Sequence, residues 1–203
     1  MGKKLLILAS VIILMFSVVC SGCKKKEKEP ENVIDYLKEI GTYNCDFDIT
    51  LKNDKQELKY SGKQFYDCNM GYRVELGSDR VMIFKDKKIY VSDLKSGSKY
   101  VTEEEFDSLF SVTFVGKYIG LIYIDEELKT YYKTVNGKKY QLIEVTIPGG
   151  IREMNKGVMY VDTVDYLPDH LIIYDVEGKE KLTVHYRNFV PNEEMKKELF
   201  NVN

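Results

Sequence analysis

The apolar positions of this chain follow two different periods. From Glu31 to Tyr43, Val33, Tyr36, Leu37 and Ile40 recur at helical spacing and Gly41 marks a stop, which predicts a short amphipathic helix. The period then becomes two. In CDFDITLK, Cys45, Phe47, Ile49 and Leu51 share one side, and Asp46, Asp48, Thr50 and Lys52 the other. That alternation is the mark of a strand with one buried face. After a turn at 53–55, Leu58, Tyr60, Gln64, Tyr66, Cys68 and Met70 line one side, with Gly62 predicted to mark a bulge or bend. Tyr72, Val74 and Leu76 continue the pattern. Hairpins are predicted around Asp86 to Lys88 and at Asn136-Gly137, with a further turn at Glu177-Gly178. The pattern yields about nine or ten antiparallel strands in meander order.

The meander is interrupted once. Thr102 and Glu105 have capping-box spacing, and Phe106, Leu109 and Phe110 give one apolar helix face. The dense run SVTFVGKYIGLIYI predicts a helix continuing to about Gly116 and then a strand. PNEEMKKELF at the C-terminal end reads as a helical turn or an extended cover segment. An antiparallel sheet with one apolar face and two separated helices implies an α+β fold, mainly β. The sheet would curve as an open half-barrel around the N-terminal and inserted helices.

The first 22 residues have another organisation. Lys3 and Lys4 precede an apolar run from Leu5 to Val19, and Ser21-Gly22 supply small residues before Cys23. This is a secretory signal layout, and the run is shorter than the roughly 20 residues of a spanning helix. Small-small-Cys after such a run resembles the bacterial lipobox. The resemblance implies that Cys23 becomes a lipidated mature N-terminus, although Cys20 stands where the motif usually has Leu, Val or Ile. The expected organisation is a signal peptide at 1–22, a lipidated basic tether at 23–30 and a folded domain at 31–203. Lys24, Lys25, Lys26 and Lys28 would then lie at the membrane surface, each adding about 1 kcal/mol of attraction to anionic lipid. The protein is expected outside the cytoplasm, held to a membrane.

Charge changes the picture little. The 203 residues carry a net charge of -2, and loss of the signal leaves 28 basic residues against 32 acidic. No basic face is implied, which speaks against nucleic acid. With 16 Tyr and 9 Phe but no Trp, the composition suits strands and aromatic contact surfaces. Tyr131, Tyr132, Tyr140, Tyr160, Tyr166, Tyr174 and Tyr186 are candidate anchors as well as candidate core residues, and open sheet edges offer a route to a homodimer.

Catalytic and metal-binding patterns are scarce. His170 and His185 fall on separate predicted strands without HxH or HExxH spacing, and GxSxG, GxxxxGKS and GxGxxG are absent. Asp162, Asp165 and Asp169 lack EF-hand spacing and read as a solvated loop. Glu103 to Glu105 are explained by a helix N-terminus. No metal, cofactor or catalytic residue is expected, and a binding protein is favoured over an enzyme. Cys45 and Cys68, each on the apolar side of a candidate strand, can form a disulfide or remain two buried thiols.

The order of lipobox, tether, helix, meander, inserted helix and the ending YLPDHLIIYDVEGKEKLTVHYRNFVPNEEMKKELF resembles the LolA/LolB-like lipoprotein carriers. Leu167-Pro168 leads a strand there, Asp175 to Gly178 turns, and Asn188-Phe189 closes the sheet before Phe200. Within that group, the lipidated layout and the Tyr-rich strands are similar to the germination lipoproteins of the GerS family. That resemblance implies a spore-envelope lipoprotein that binds a CwlD-like cortex amidase and supports muramic-δ-lactam formation. The alternatives are a carrier or receptor for lipid or lipoprotein on the concave face, or an envelope-sensing lipoprotein.

Overall fold

The computed structural model describes residues 32–53, 55–107, 109–149 and 152–202. The signal-like segment, Cys23 and the tether lie outside the described residues. Helix α1 is Val33–Lys38, capped by Asn32, whose Oδ1 accepts the Asp35 amide at 3.0 Å. Val33, Leu37 and Ile40 are buried as the helical spacing predicts. The helix is shorter than expected, because Thr42 and Tyr43 already belong to a strand paired on both sides. A ladder that satisfies both edges of the backbone outweighs continuation of a short helix.

Among the described residues eleven strands follow: β1 Thr42–Lys52, β2 Glu57–Asp67, β3 Gly71–Leu76, β4 Arg80–Lys85, β5 Lys88–Asp93, β6 Lys99–Glu103, β7 Lys129–Val135, β8 Lys138–Thr146, β9 Lys156–Asp162, β10 Pro168–Tyr174 and β11 Glu180–Pro191. They form one antiparallel sheet in the order β6-β5-β4-β3-β2-β1-β11-β10-β9-β8-β7. Two meanders are therefore sewn together by the pairing of β1 with β11. The predicted turns at Asp86-Lys87 and Asn136-Gly137 have positive φ at both central residues, as tight hairpins require. β6 was not foreseen, since its side chains are almost all exposed and leave no alternation to read.

The topology settles the path of the inserted segment. β6 and β7 are opposite edges of the sheet, so the chain between them has to cross a face. It does so with a 3-10 turn at Glu104–Phe106, a second at Ser111–Thr113, and helix α2 at Val115–Ile124. The helix begins where it was expected to end, and the stretch assigned to a strand is helical. Val115, Tyr118, Ile119 and Ile122 recur at three- and four-residue spacing and are all buried. Glu103 to Glu105 are not the start of a long helix; Glu104 instead pairs with Lys117 of α2. The ending behaves as the cover segment expected, with buried Met195 and Phe200 and a 3-10 turn at Lys197–Phe200.

Gly62 is also reassigned. The ladder between β1 and β2 runs without a register shift, so no bulge exists there. A side chain is excluded because a Cβ would lie 2.0 Å from the Glu75 carbonyl oxygen of β3. The main core lies between the sheet and the crossover, drawing Phe84, Ile89 and Val91 from one half and Met159, Leu171 and Ile173 from the other. Both halves of the sheet thus wrap the same crossover, giving the expected open half-barrel.

Candidate functional site

The sheet itself builds the seat of α2. The helix has no side-chain cap of its own, and the Val115 amide donates instead to the Tyr43 hydroxyl of β1 at 3.0 Å. Gln64 of β2 donates through Nε2 to Thr113 Oγ1 at 2.8 Å, and that hydroxyl donates to the Phe110 carbonyl at 2.7 Å. Tyr186 of β11 donates to the Thr113 carbonyl at 2.7 Å. Burial pushes the phenols of Tyr43 and Tyr186 well above their ordinary pKa, so both stay neutral hydroxyls at physiological pH, Tyr43 accepting from Val115 and Tyr186 donating to Thr113. Such a buried and satisfied network admits few alternative positions for the helix.

Farther along, the Tyr118 hydroxyl lies 2.7 Å from the Ile143 carbonyl oxygen and 2.9 Å from that of Gly157, sharing one proton between β8 and β9. Gly157 makes room for the ring, since a Cβ there would sit 2.8 Å from Tyr118 Cε2. The end of α2 is fastened by Asp125, whose Oδ2 accepts the Thr146 amide at 2.6 Å. Phe114, Val115, Tyr118, Ile119 and Ile122 therefore fill the concave side with packed side chains.

The opposite side of α2 is left open. Val112, Leu121, Ile147 and Pro148 line a groove of about 380 Å³, with Lys117 at one end. A second hollow of about 360 Å³ shares Leu121 and Pro148, and reaches Ile124 and the acidic run Asp125 to Glu127. Ile124 is 70% exposed. The result is an apolar stripe along a rigidly seated helix, with the Lys117–Glu104 ion pair beside one hollow and the acidic run Asp125 to Glu127 beside the other. Single exposed apolar residues are ordinary, whereas two adjoining apolar hollows that share Leu121 and Pro148 make this face a candidate surface for recognition. The sequence reading missed Lys117, Leu121 and Ile124 as candidates because it placed them in or beside a strand; the three- and four-residue spacing from Val115 to Ile122 was the available signal.

The residues singled out from the sequence fall into distinct places. Cys45 is buried in β1, where burial pushes its thiol pKa up, and Cys68 is exposed in the turn after β2. Both are free thiols, and Cys68 is not on the apolar side where it was expected. Among the tyrosines, Tyr186 is core, and Tyr140 and Tyr160 are buried on the outer face with Leu142 and Val158. Tyr131 and Tyr132 remain exposed on edge strand β7, whose flanking Lys129 and Lys133 discourage indiscriminate strand pairing. Asp162 and Asp169 do not form a solvated loop with Asp165. Both bind Lys138, at 2.9 and 3.0 Å, and Asp162 is buried. His170 and His185, separate in the sequence, are direct cross-strand partners.

Comparison with known proteins places the chain. An uncharacterized conserved protein from Thermus thermophilus is similar with a TM-score of 0.53 at 9% identity, over 82% of this chain and 90% of its own. That likeness is one of fold. A chain of the solved complex of the CwlD amidase from Clostridioides difficile with the GerS lipoprotein is similar with a TM-score of 0.47 at 23% identity, over 79% of this chain and 90% of its own. A LolA superfamily protein, NE2245 from Nitrosomonas europaea, follows with 0.43 at 10%, over 85% and 97%. No curated protein matches the sequence. The family described as "Sporulation protein YdcC-like" matches residues 2–200. With nearly its whole length matched, the chain belongs to the YdcC-like sporulation protein family.

Proposed function

We propose that this sporulation protein is a membrane-anchored, non-catalytic lipoprotein. In this reading it binds a CwlD-like cortex N-acetylmuramoyl-L-alanine amidase and supports muramic-δ-lactam formation. The observation that carries the binding role is the open apolar stripe of Leu121, Ile124, Ile147 and Pro148 on α2 and the neighbouring loop. Its rigid seat lowers the ordering cost of docking. The amidase as the partner class rests on membership of a sporulation family and on the resemblance of the sequence to the germination lipoproteins. Hydrolysis chemistry and its metal would be the amidase's own. The lipid anchor on Cys23 and the lysine tether would hold the pair at a membrane outside the cytoplasm.

The test is co-elution of the purified full chain with the amidase, followed by lactam assay with and without it. Binding and a gain in lactam are expected. Ile124→Asp, at an exposed position, should weaken binding about tenfold or more while leaving the circular dichroism spectrum unchanged. Neither co-elution nor a gain in lactam would remove the amidase reading, and lipid recovered by mass spectrometry would favour a carrier. For the anchor, Cys23→Ala should abolish metabolic lipid labelling in cells. Labelling that persists would assign the anchor to Cys20 or another site.

A further inference from the structure

We propose that Asp169, His170 and His185 form a binding site for a divalent transition metal of the zinc class on the outer face of the sheet. The site lies apart from the α2 groove and does not depend on the amidase reading. β10 and β11 place His170 directly opposite His185, with ring centroids 5.3 Å apart. Adjacent strand residues normally point to opposite faces. Here the ladder with β9 steps from Pro168–Val161 to His170–Tyr160, so Asp169 is the extra residue of a bulge. A bulge re-aims side chains, and the Asp169 carboxylate joins His170 on the outer face, its Oδ2 2.8 Å from Nδ1. One ligand atom from each of the three residues can be chosen so that all lie within 4.8 Å of one another.

The chemistry of the set fits. Two imidazoles and one carboxylate suit zinc, nickel or copper and disfavour magnesium and calcium, which take oxygen ligands. Zinc bonds of about 2.0–2.2 Å put tetrahedral ligand atoms roughly 3.3 Å apart. His185 is exposed, so its side chain has room to rotate toward the other two ligands. His170 is the anchored member: its ring stacks on Tyr160 at 3.9 Å, and Tyr140 stands edge-on at 6.0 Å. With the metal on Nδ1, the ring would carry its proton on Nε2. Asp169 is held in turn by Lys138 at 3.0 Å and the Tyr140 hydroxyl at 3.3 Å. The positive charges of Lys138 and Lys133 oppose a cation, but Lys138 is matched by both Asp162 and Asp169. The fourth position would take water.

The test uses the full chain in detergent, stripped with chelator and titrated with zinc chloride by calorimetry. One zinc per chain is expected, with a rise in the unfolding temperature at about tenfold excess of zinc that magnesium does not reproduce. His185→Gln, at an exposed position, should weaken zinc binding at least tenfold, and Asp169→Asn should weaken it about 10–100-fold. Cys68→Ser should leave binding unchanged, separating the site from a thiol one. Absence of zinc binding overturns the proposal, as does binding that survives His185→Gln or disappears with Cys68→Ser.

Discussion

Phe114→Ala is expected to destabilise the folded domain by about 3–5 kcal/mol, a loss read from the midpoint of urea unfolding. Phe114 is fully buried where the crossover turns into α2. Its ring lies 4.4 Å from Tyr72 of β3 and 5.1 Å from Phe84 of β4. Those partners belong to paired strands and cannot collapse into the vacated space, so the lost transfer energy and the cavity cost add. The variant would also loosen the residue preceding Val115, whose amide is held by Tyr43. Because the chain has no Trp, far-UV circular dichroism is the suitable probe. Phe114→Leu, which keeps most of the volume, should cost much less. Equal midpoints for wild type and Phe114→Ala would mean that the crossover contributes little to the core.

Gly62→Ala is expected to lower the unfolding temperature by about 6–12 °C, corresponding to roughly 3 kcal/mol. The smallest possible side chain already collides there: its Cβ would be 2.0 Å from the Glu75 carbonyl oxygen and 3.1 Å from Phe47 Cζ. The carbonyl is backbone of β3, and Lys63 next to Gly62 pairs with Glu75, so relief requires the β2–β3 ladder to open. Relief by a rotamer change is not available to a main-chain atom. Alanine is ordinarily tolerated in place of glycine within a strand, which makes the direction of this result diagnostic. An unchanged melting curve would show that β3 does not approach β2 as closely as the structure has it.

Local signals that depend on few neighbours were legible. The helical spacing of Val33, Leu37 and Ile40 placed α1, and the alternation of Cys45, Phe47 and Ile49 placed the buried face of β1. Asn136-Gly137 located the β7–β8 hairpin, because only residues tolerant of positive φ fit such a turn. The candidate groove was not legible. Its residues sit in a stretch apolar on nearly every side, where α2 meets the sheet on one face and presents Leu121 and Ile124 on the other. Periodicity loses contrast when both faces of an element carry apolar residues.

Gly62 shows a second kind of limit. A glycine in a strand announces a special backbone environment, but a bulge and a crossing carbonyl look alike in one dimension. The histidines show a third. Fifteen positions of chain separate His170 from His185, and no spacing rule for metal motifs applies to residues brought together by strand register.

By itself, the sequence determined the predominance of antiparallel strands, the N-terminal helix and most hairpins. Each depends on contacts or conformational preferences within a few residues. Tertiary structure decided the rest. Pairing of β1 with β11 made two meanders one sheet, and that left β6 and β7 at opposite edges. The segment between them therefore had to cross the concave face, which turned an ambiguous apolar run into a seated helix with one open side. The bulge at Asp169 and the β10–β11 register gathered a carboxylate and two imidazoles on the outer face. These outcomes follow from long-range backbone pairing, whose register is set by the whole sheet rather than by any one segment.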